Sequence, residues 1–305
     1  MRGAMPDPSK DVRQPVIILG MHRSGTTMLA SLLDRLGLFQ GESLEENHES
    51  TFFLKLNITV MRRIHAYWDH PVPMHNFFDN SQAVELTTTC LKRTASSYHA
   101  IEFLGLRRFL RHRSIFALPC PWGWKDPRTV FTLPLWLSLF PAAKLIYLAR
   151  NGVDVAASLF NRERRRFDLQ RHKLLHPPFR FTLAGSLKRI GYKGSLRCLT
   201  MPGAFSLWEE YVAQAQRQLT RFPNERHILS YEQFVQSPRH HLAALAAFCG
   251  LDTSDDAIAK AIDGRVETAR AHAFVKHPEH VDFYHRVRKT PWMIHHGYDN
   301  LPCTR

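Results

Sequence analysis

Four short stretches read as strands: Val16 to Leu19, Ser114 to Leu118, Lys144 to Ala149, and Arg226 to Ser230. Each is too short for a helix, and the first and third are apolar almost throughout, as strands buried on both faces are. Between them the apolar residues recur at helical spacing. Thr26 to Leu36 places Met28, Leu29, Leu32, Leu33 and Leu36 on one face, and Ser50 to Ala66 does the same with Phe53, Leu56, Val60 and Ile64. The pattern predicts further helices over 82–98 and 100–112, one carrying Phe131, Leu135 and Leu139, one starting at Val153, one over Leu207 to Leu219, and two over 238–250 and 254–262. Residues 67–81 read as a loop, and the chain from Arg265 as irregular. Strands alternating with helices predict an α/β fold with a parallel sheet. Ligands of such sheets bind at the carboxyl ends of the strands, which puts Arg23, Lys125, Arg150 and Tyr231 along one edge.

The first strand runs into Gly20-Met21-His22-Arg23-Ser24-Gly25, and a helix follows at once. Strand, glycine loop and helix together aim backbone N–H groups and a helix dipole at a bound phosphate. The loop nearly fits G-x-x-x-x-G-K-[ST], with Gly20, Gly25 and Thr27 in register, but Thr26 stands where the lysine belongs. A nucleoside triphosphate needs that lysine on its phosphates, so an ordinary ATPase or GTPase is disfavoured. The expected fold is therefore P-loop-like, three layers with a central parallel sheet flanked by helices.

Composition narrows the class. The chain has 305 residues, a formal charge of +14 and 44% hydrophobic residues. The charge implies an anionic partner without naming it. Much of it lies between Asn161 and Thr200, a stretch rich in Arg and Lys with Pro177-Pro178 in its middle. That stretch is expected to be a basic insertion, at about 161–200, in a single domain over 15–305 preceded by a flexible N-terminus over 1–14. No apolar stretch is long enough for a membrane span, and the first residues carry no signal-peptide core. The five cysteines are scattered and lack C-x-x-C spacing, which fits a reducing compartment. Cytoplasmic localisation is expected, with no specific nucleic-acid partner.

A second phosphate-type element follows the third strand. Arg150 ends the strand, a helix begins, and Ser158 comes eight residues after the arginine. An arginine at a strand end offers a planar fork of donors for phosphate. The bland alternative is an arginine capping the sheet and a serine bonded to its own helix. G-M-H-R-S-G-T-T closely resembles the 5′-phosphosulfate loop of the sulfotransferases, and Leu145 to Ser158 is similar to their 3′-phosphate element. The resemblance implies 3′-phosphoadenosine 5′-phosphosulfate (PAPS) as co-substrate, with no metal expected. Its 5′-phosphosulfate would be held by His22, Arg23, Ser24, Gly25, Thr26 and Thr27, and its 3′-phosphate by Arg150 and Ser158. Tyr231-Glu232-Gln233-Phe234 resembles the element after the last strand in that superfamily, where Tyr231 would line the nucleotide. The R-K-G phosphate motif of the cytosolic branch is absent, which leaves Arg265 and Arg270 as weak candidates to complete the 3′-phosphate site.

Trp124-Lys125-Asp126-Pro127-Arg128 separates the branches. Cytosolic steroid and phenol sulfotransferases carry a catalytic histidine two residues after the lysine, where this chain has Pro127. K-D-P looks more like the tyrosylprotein sulfotransferases, and K-D-P-R like bacterial ones, which makes Lys125 the candidate for stabilising charge on the sulfuryl and bridging oxygens. The base is then expected to be a carboxylate after the first helix. Glu49, which precedes Phe52-Phe53 as in the heparan-type pattern, is preferred over Glu42, which resembles part of the tyrosylprotein Gly-Glu-Glu. The expected reaction is in-line sulfuryl transfer to a hydroxyl or amine of an acidic or polar acceptor such as a carbohydrate, peptide or small metabolite. Two alternatives are a P-loop phosphotransferase, which should show the missing lysine and a magnesium carboxylate, and a non-catalytic polyanion binder.

Overall fold

The computed structural model describes residues 12–175 and 192–302. In chain order the main elements are β1 (Val16–Leu19), α1 (Thr26–Arg35), α2 (Thr51–Arg63), α3 (Pro73–Phe78), α4 (Ser81–Ala95), α5 (Ile101–His112), β2 (Gly123–Lys125), α6 (Thr129–Leu139), β3 (Lys144–Ala149) and α7 (Gly152–Leu175). Then come α8 (Met201–Arg221), β4 (Arg226–Ser230), α9 (Tyr231–Gln236), α10 (Pro238–Cys249), α11 (Asp255–Ile262), α12 (Pro278–Val287) and α13 (Pro291–His295). The described residues cluster into two compact units. One lies within Met1–Ala149 and Gln214–Thr268, the other within Arg150–Ala213 and Ala269–Arg305.

The first unit holds an all-parallel sheet in the order β2-β1-β3-β4, and the fold is α/β with this sheet flanked by helices. β1 is central because all four of its side chains are apolar and buried, as a strand covered on both faces requires. It pairs Val16 with Gly123 on one side and with Lys144 on the other. The pairing with β2 demands a glycine, since a Cβ on Gly123 would lie 2.1 Å from the Val16 carbonyl oxygen. Against the sheet packs an aromatic cluster. The ring of Phe53, from α2, stacks on Trp124 with centroids 4.0 Å apart and an interplanar angle of 5°. Trp136 and Phe103 meet Phe53 edge-on at 5.1 Å each.

Three expectations are corrected. The strand expected at Ser114 to Leu118 is one turn of 3₁₀ helix, Ile115–Ala117, and the sheet is completed by Gly123–Lys125 instead. Ser114 caps that turn by accepting the Phe116 N–H at 3.2 Å, and Pro119 and Pro121 supply no N–H for a ladder. The segment 67–81 contains α3, started by Pro73 and anchored by buried Met74 and Phe77. The C-terminal stretch is also not wholly irregular, since α12 and α13 each begin on a proline. The basic stretch begins as a continuation of α7 as far as Leu175, and residues 176–191 lie outside the described residues.

In the second unit Glu163 is the buried fixed point of α7. Its carboxylate accepts from the Tyr192 hydroxyl at 2.9 Å and the Ser195 N–H at 3.0 Å, and it pairs with Arg162 and Arg166. No helix among the described residues is long and apolar enough to cross a membrane.

The aromatic stack should dominate the stability of the first unit. Phe53→Ala removes a fully buried ring, and cavities of that size cost about 3–5 kcal/mol. Urea unfolding should show a midpoint drop of that magnitude; a loss under about 1 kcal/mol would mean that the stack does not hold α2 to the sheet.

Candidate active site

The loop after β1 is shaped by backbone chemistry. Gly25 has φ 96° and ψ 2°, a left-handed conformation that favours glycine. A side chain there would also strike Tyr231, whose Cδ2 would lie 2.4 Å from the added Cβ. Tyr231 opens α9 after β4, is buried, and donates its hydroxyl to the Glu267 carbonyl at 3.4 Å. Arg23, with φ 69°, is exposed at the loop's outer turn. Ser24 is buried and donates to the Met21 carbonyl at 2.7 Å, so its hydroxyl braces the loop from within. The His22 ring meets Trp68 edge-on at 5.0 Å. Thr26 is buried and Thr27 exposed. No side chain caps the start of α1, and its first turn carries no acidic residue. Its leading N–H groups are thus arranged as an anion site arranges them.

Beside the loop stands a buried ion pair. Lys125, the last residue of β2, is 1% exposed, and Glu49, just ahead of α2, is 6% exposed. The Lys125 ammonium lies 3.1 Å from Glu49 Oε1, donates to Thr27 Oγ1 at 3.4 Å, and also donates to the Asn47 carbonyl. Burial pushes the Glu49 carboxyl above its ordinary value, against the attraction of Lys125. Burial likewise pulls the Lys125 ammonium below its ordinary value, against the attraction of Glu49. A carboxylate with raised proton affinity beside a lysine that reaches the phosphate-type loop can accept a proton and offset negative charge at one place. Glu42 is placed differently. It is exposed and pairs with Arg108 of α5 at 3.1 Å, and Cγ of its side chain lies close to Gly105. The structure brings Glu49, not Glu42, to Lys125.

In the second unit, Arg150 directly follows β3 in sequence and is almost fully buried. Its guanidinium donates to the Arg270 carbonyl at 2.6 Å and lies 3.5 Å from Asp154 Oδ2. Its own carbonyl accepts the Trp208 indole N–H at 3.1 Å. Asn151 caps α7 by accepting the N–H groups of Val153 and Asp154. Ser158 is half-buried in the second turn of the same helix.

The family model described as the sulfotransferase family matches residues 15–255. The chain belongs to the sulfotransferase family. Among solved structures, the sulfotransferase domain from the curacin biosynthetic pathway is similar at 17% identity, with 95% of this chain and 99% of that one covered and a TM-score of 0.49. The sulfotransferase domain of the Synechococcus PCC 7002 olefin synthase is similar at 17% identity, over 98% and 99%, with a TM-score of 0.45. A sulfotransferase from Alicyclobacillus acidocaldarius is similar at 15% identity, over 95% and 97%, with a TM-score of 0.47. A search of curated proteins finds no significant match.

In each unit of this sulfotransferase, one buried polar residue bonded to the candidate residues or their neighbours escaped the sequence reading. Asn57 sits in the middle of the buried face of α2, at the position i+4 from Phe53, where periodicity calls for an apolar residue. Its amide nitrogen donates to Asp126 Oδ2 at 2.8 Å and Thr129 Oγ1 at 3.1 Å. Its oxygen accepts from Thr132 and from the Trp136 indole, each at 2.8 Å. Asp126 in turn accepts from the Arg128 N–H and guanidinium, both at 3.0 Å, and that guanidinium lies 3.9 Å from Glu49 Oε2. The other omission is Asp154, whose Oδ1 accepts the Phe274 N–H at 2.8 Å while its Oδ2 faces Arg150. The sequence signal for Asn57 is a polar residue where the helical face should be apolar, and for Asp154 it is the i,i+4 spacing from Arg150.

Asn57→Ala orphans a carboxylate oxygen, a hydroxyl and an indole N–H in a buried place. With about 1–3 kcal/mol for each unsatisfied group, partly relieved by relaxation, the loss should be about 3 kcal/mol in denaturant unfolding. Thr132→Val, which removes one partner of the four, should cost visibly less. Equal costs would show that Asn57 is not the node of this network.

Proposed function

We propose that this sulfotransferase takes a sulfuryl group from PAPS and delivers it to a hydroxyl or amine of an acceptor. The observation that carries the reading is that Lys125 joins Thr27 of the phosphate-type loop and the buried Glu49 through one ammonium group. PAPS supplies an activated sulfuryl group whose leaving group is 3′-phosphoadenosine 5′-phosphate. The backbone of residues 20–27, with Arg23, is suited to the 5′-phosphosulfate. Arg150 and Ser158 are assigned the 3′-phosphate. The acceptor oxygen or nitrogen forms a bond to sulfur as the bond from sulfur to the bridging oxygen breaks. Glu49 takes the acceptor's proton, and Lys125 offsets the charge that grows on the bridging oxygen. The assignment favours sulfuryl over phosphoryl transfer because Thr26 occupies the place of the P-loop lysine.

The acceptor is proposed to be acidic, on the strength of the exposed Arg164, Arg165, Arg171 and Lys173 on α7. Electrostatic attraction of this kind raises encounter rates and weakens with salt. The site is proposed to work in the cytoplasm.

Calorimetry tests the donor assignment. 3′-Phosphoadenosine 5′-phosphate should bind well above adenosine 5′-phosphate, and Arg150→Ala should weaken the former by about 1.5–3 kcal/mol, the range for hydrogen bonds to charged groups. Equal affinity for the two nucleotides would sink the assignment.

The base is tested by release of 3′-phosphoadenosine 5′-phosphate from PAPS across a panel of phenols, alcohols, amines and anionic saccharides. Glu49→Gln keeps the shape and the hydrogen bonding but cannot accept the proton, so kcat should fall by about 10²–10⁴-fold with nucleotide binding intact. Glu42→Gln should cost far less. In the unsubstituted enzyme kcat/KM should fall as the pH drops through a value above the ordinary carboxylate 4.5, because burial raises the Glu49 pKa. That limb should vanish in Glu49→Gln. A severe Glu42→Gln beside a mild Glu49→Gln would transfer the role to Glu42.

A further inference from the structure

Beyond the residues matched by the family, in the second unit, the start of α12 gathers two imidazoles and a carboxylate. His277 precedes the helix in extended conformation, as a residue before proline does, and Pro278, Glu279 and His280 form its first turn. One ligand atom from each of His277, Glu279 and His280 lies within 4.8 Å of the others. His277 Nδ1 is 4.0 Å from Glu279 Oε1, and the two imidazole centroids are 5.0 Å apart. His277 offers α12 no side-chain cap, so its ring is not committed to the helix end.

A second, independent observation comes from His280. It is 7% exposed, and its Nδ1 is buried with no hydrogen-bond partner among the described residues. Buried imidazole nitrogens are ordinarily paired.

We infer that His277, Glu279 and His280 form a zinc site with three protein ligands and a fourth position for water. Two imidazoles and a carboxylate make a donor set that zinc takes with one position left open. Ligand bonds of about 2.0–2.2 Å in a tetrahedron set the donor atoms roughly 3.4 Å apart. The donors must close from within 4.8 Å, and the His277 and Glu279 side chains are both exposed. A cation at a helix N-terminus meets the positive end of the dipole, and the Glu279 carboxylate offsets this. The neighbouring Lys276 ammonium is turned to the Ala269 carbonyl at 3.2 Å. The ion would clip the first turn of α12 to the preceding turn, Ala273–Lys276, whose Phe274 N–H is held by Asp154. The site is separate from sulfuryl transfer and independent of the proposed donor.

The test uses the full, untagged chain after chelator dialysis. Zn²⁺ titrated by calorimetry should bind saturably at one ion per chain, and Co²⁺ should develop the visible bands of a tetrahedral site. His277→Ala and Glu279→Gln alter exposed side chains, so the fold is preserved. Each should weaken Zn²⁺ by about tenfold or more, since even outer-shell losses cost 10–100-fold, and the double variant should abolish the cobalt bands. Zn²⁺ should also raise the melting temperature of the parent chain and not that of the double variant. Stoichiometric zinc binding that survives in the double variant would place the ion on other histidines and overturn the inference. So would the absence of saturable binding in the parent chain.

Discussion

The candidate site depends on one expensive contact, the ion pair between Lys125 and Glu49. Taking both charges out of water costs several kcal/mol each before their attraction returns any of it. The pair persists because each partner is held by more than the other. Lys125 is fixed at the end of a buried strand and bonded to Thr27 and to the Asn47 carbonyl. Glu49 faces a second cation, Arg128, whose own position is set by Asp126. The residual strain falls on proton affinity, with the carboxyl raised and the ammonium lowered. A pair shifted in those directions is closer to exchanging a proton than a surface pair, which is the property an acid–base site requires.

That arrangement is supported from behind by the aromatic cluster and by Asn57. Trp124 and Lys125 are neighbours on β2, so their side chains point to opposite faces of the sheet. The stack on Phe53 therefore pins the strand that presents the lysine. Asn57 lies on the same helix as Phe53 and fills its whole hydrogen-bonding capacity within the core. Through Asp126 it controls where Arg128 is held. Apolar packing and a saturated polar node thus act on the same three-residue strand.

The loop follows a different logic, in which absence of side chain matters. Gly25 must be left-handed and must clear the Tyr231 ring, which ties the conformation after β1 to the residue that follows β4. In the second unit the helix after β3 is fastened by Asn151 and Asp154. Arg150 is held by a carboxylate and a carbonyl, groups with which an anionic ligand would compete for its donors.

The sequence alone determined the α/β class, the glycine loop between β1 and α1, and the place of Arg150 at the end of a strand. All are written locally, in short apolar runs, glycine spacing and helical periodicity. It misplaced β2, because a short apolar run such as Ser114 to Leu118 looks the same whether it pairs or merely packs. It left Glu49 and Glu42 as alternatives, because both are acidic residues in one loop segment. Only the fold sends one to Lys125 and the other to Arg108. The bond from Asn57 to Asp126 and the bond from the Phe274 N–H to Asp154 could not be read, since they span 69 and 120 residues. Hydrogen bonds over such separations leave no periodic trace. Local pattern sets which elements form, and long-range packing decides which polar side chains are drawn together out of water.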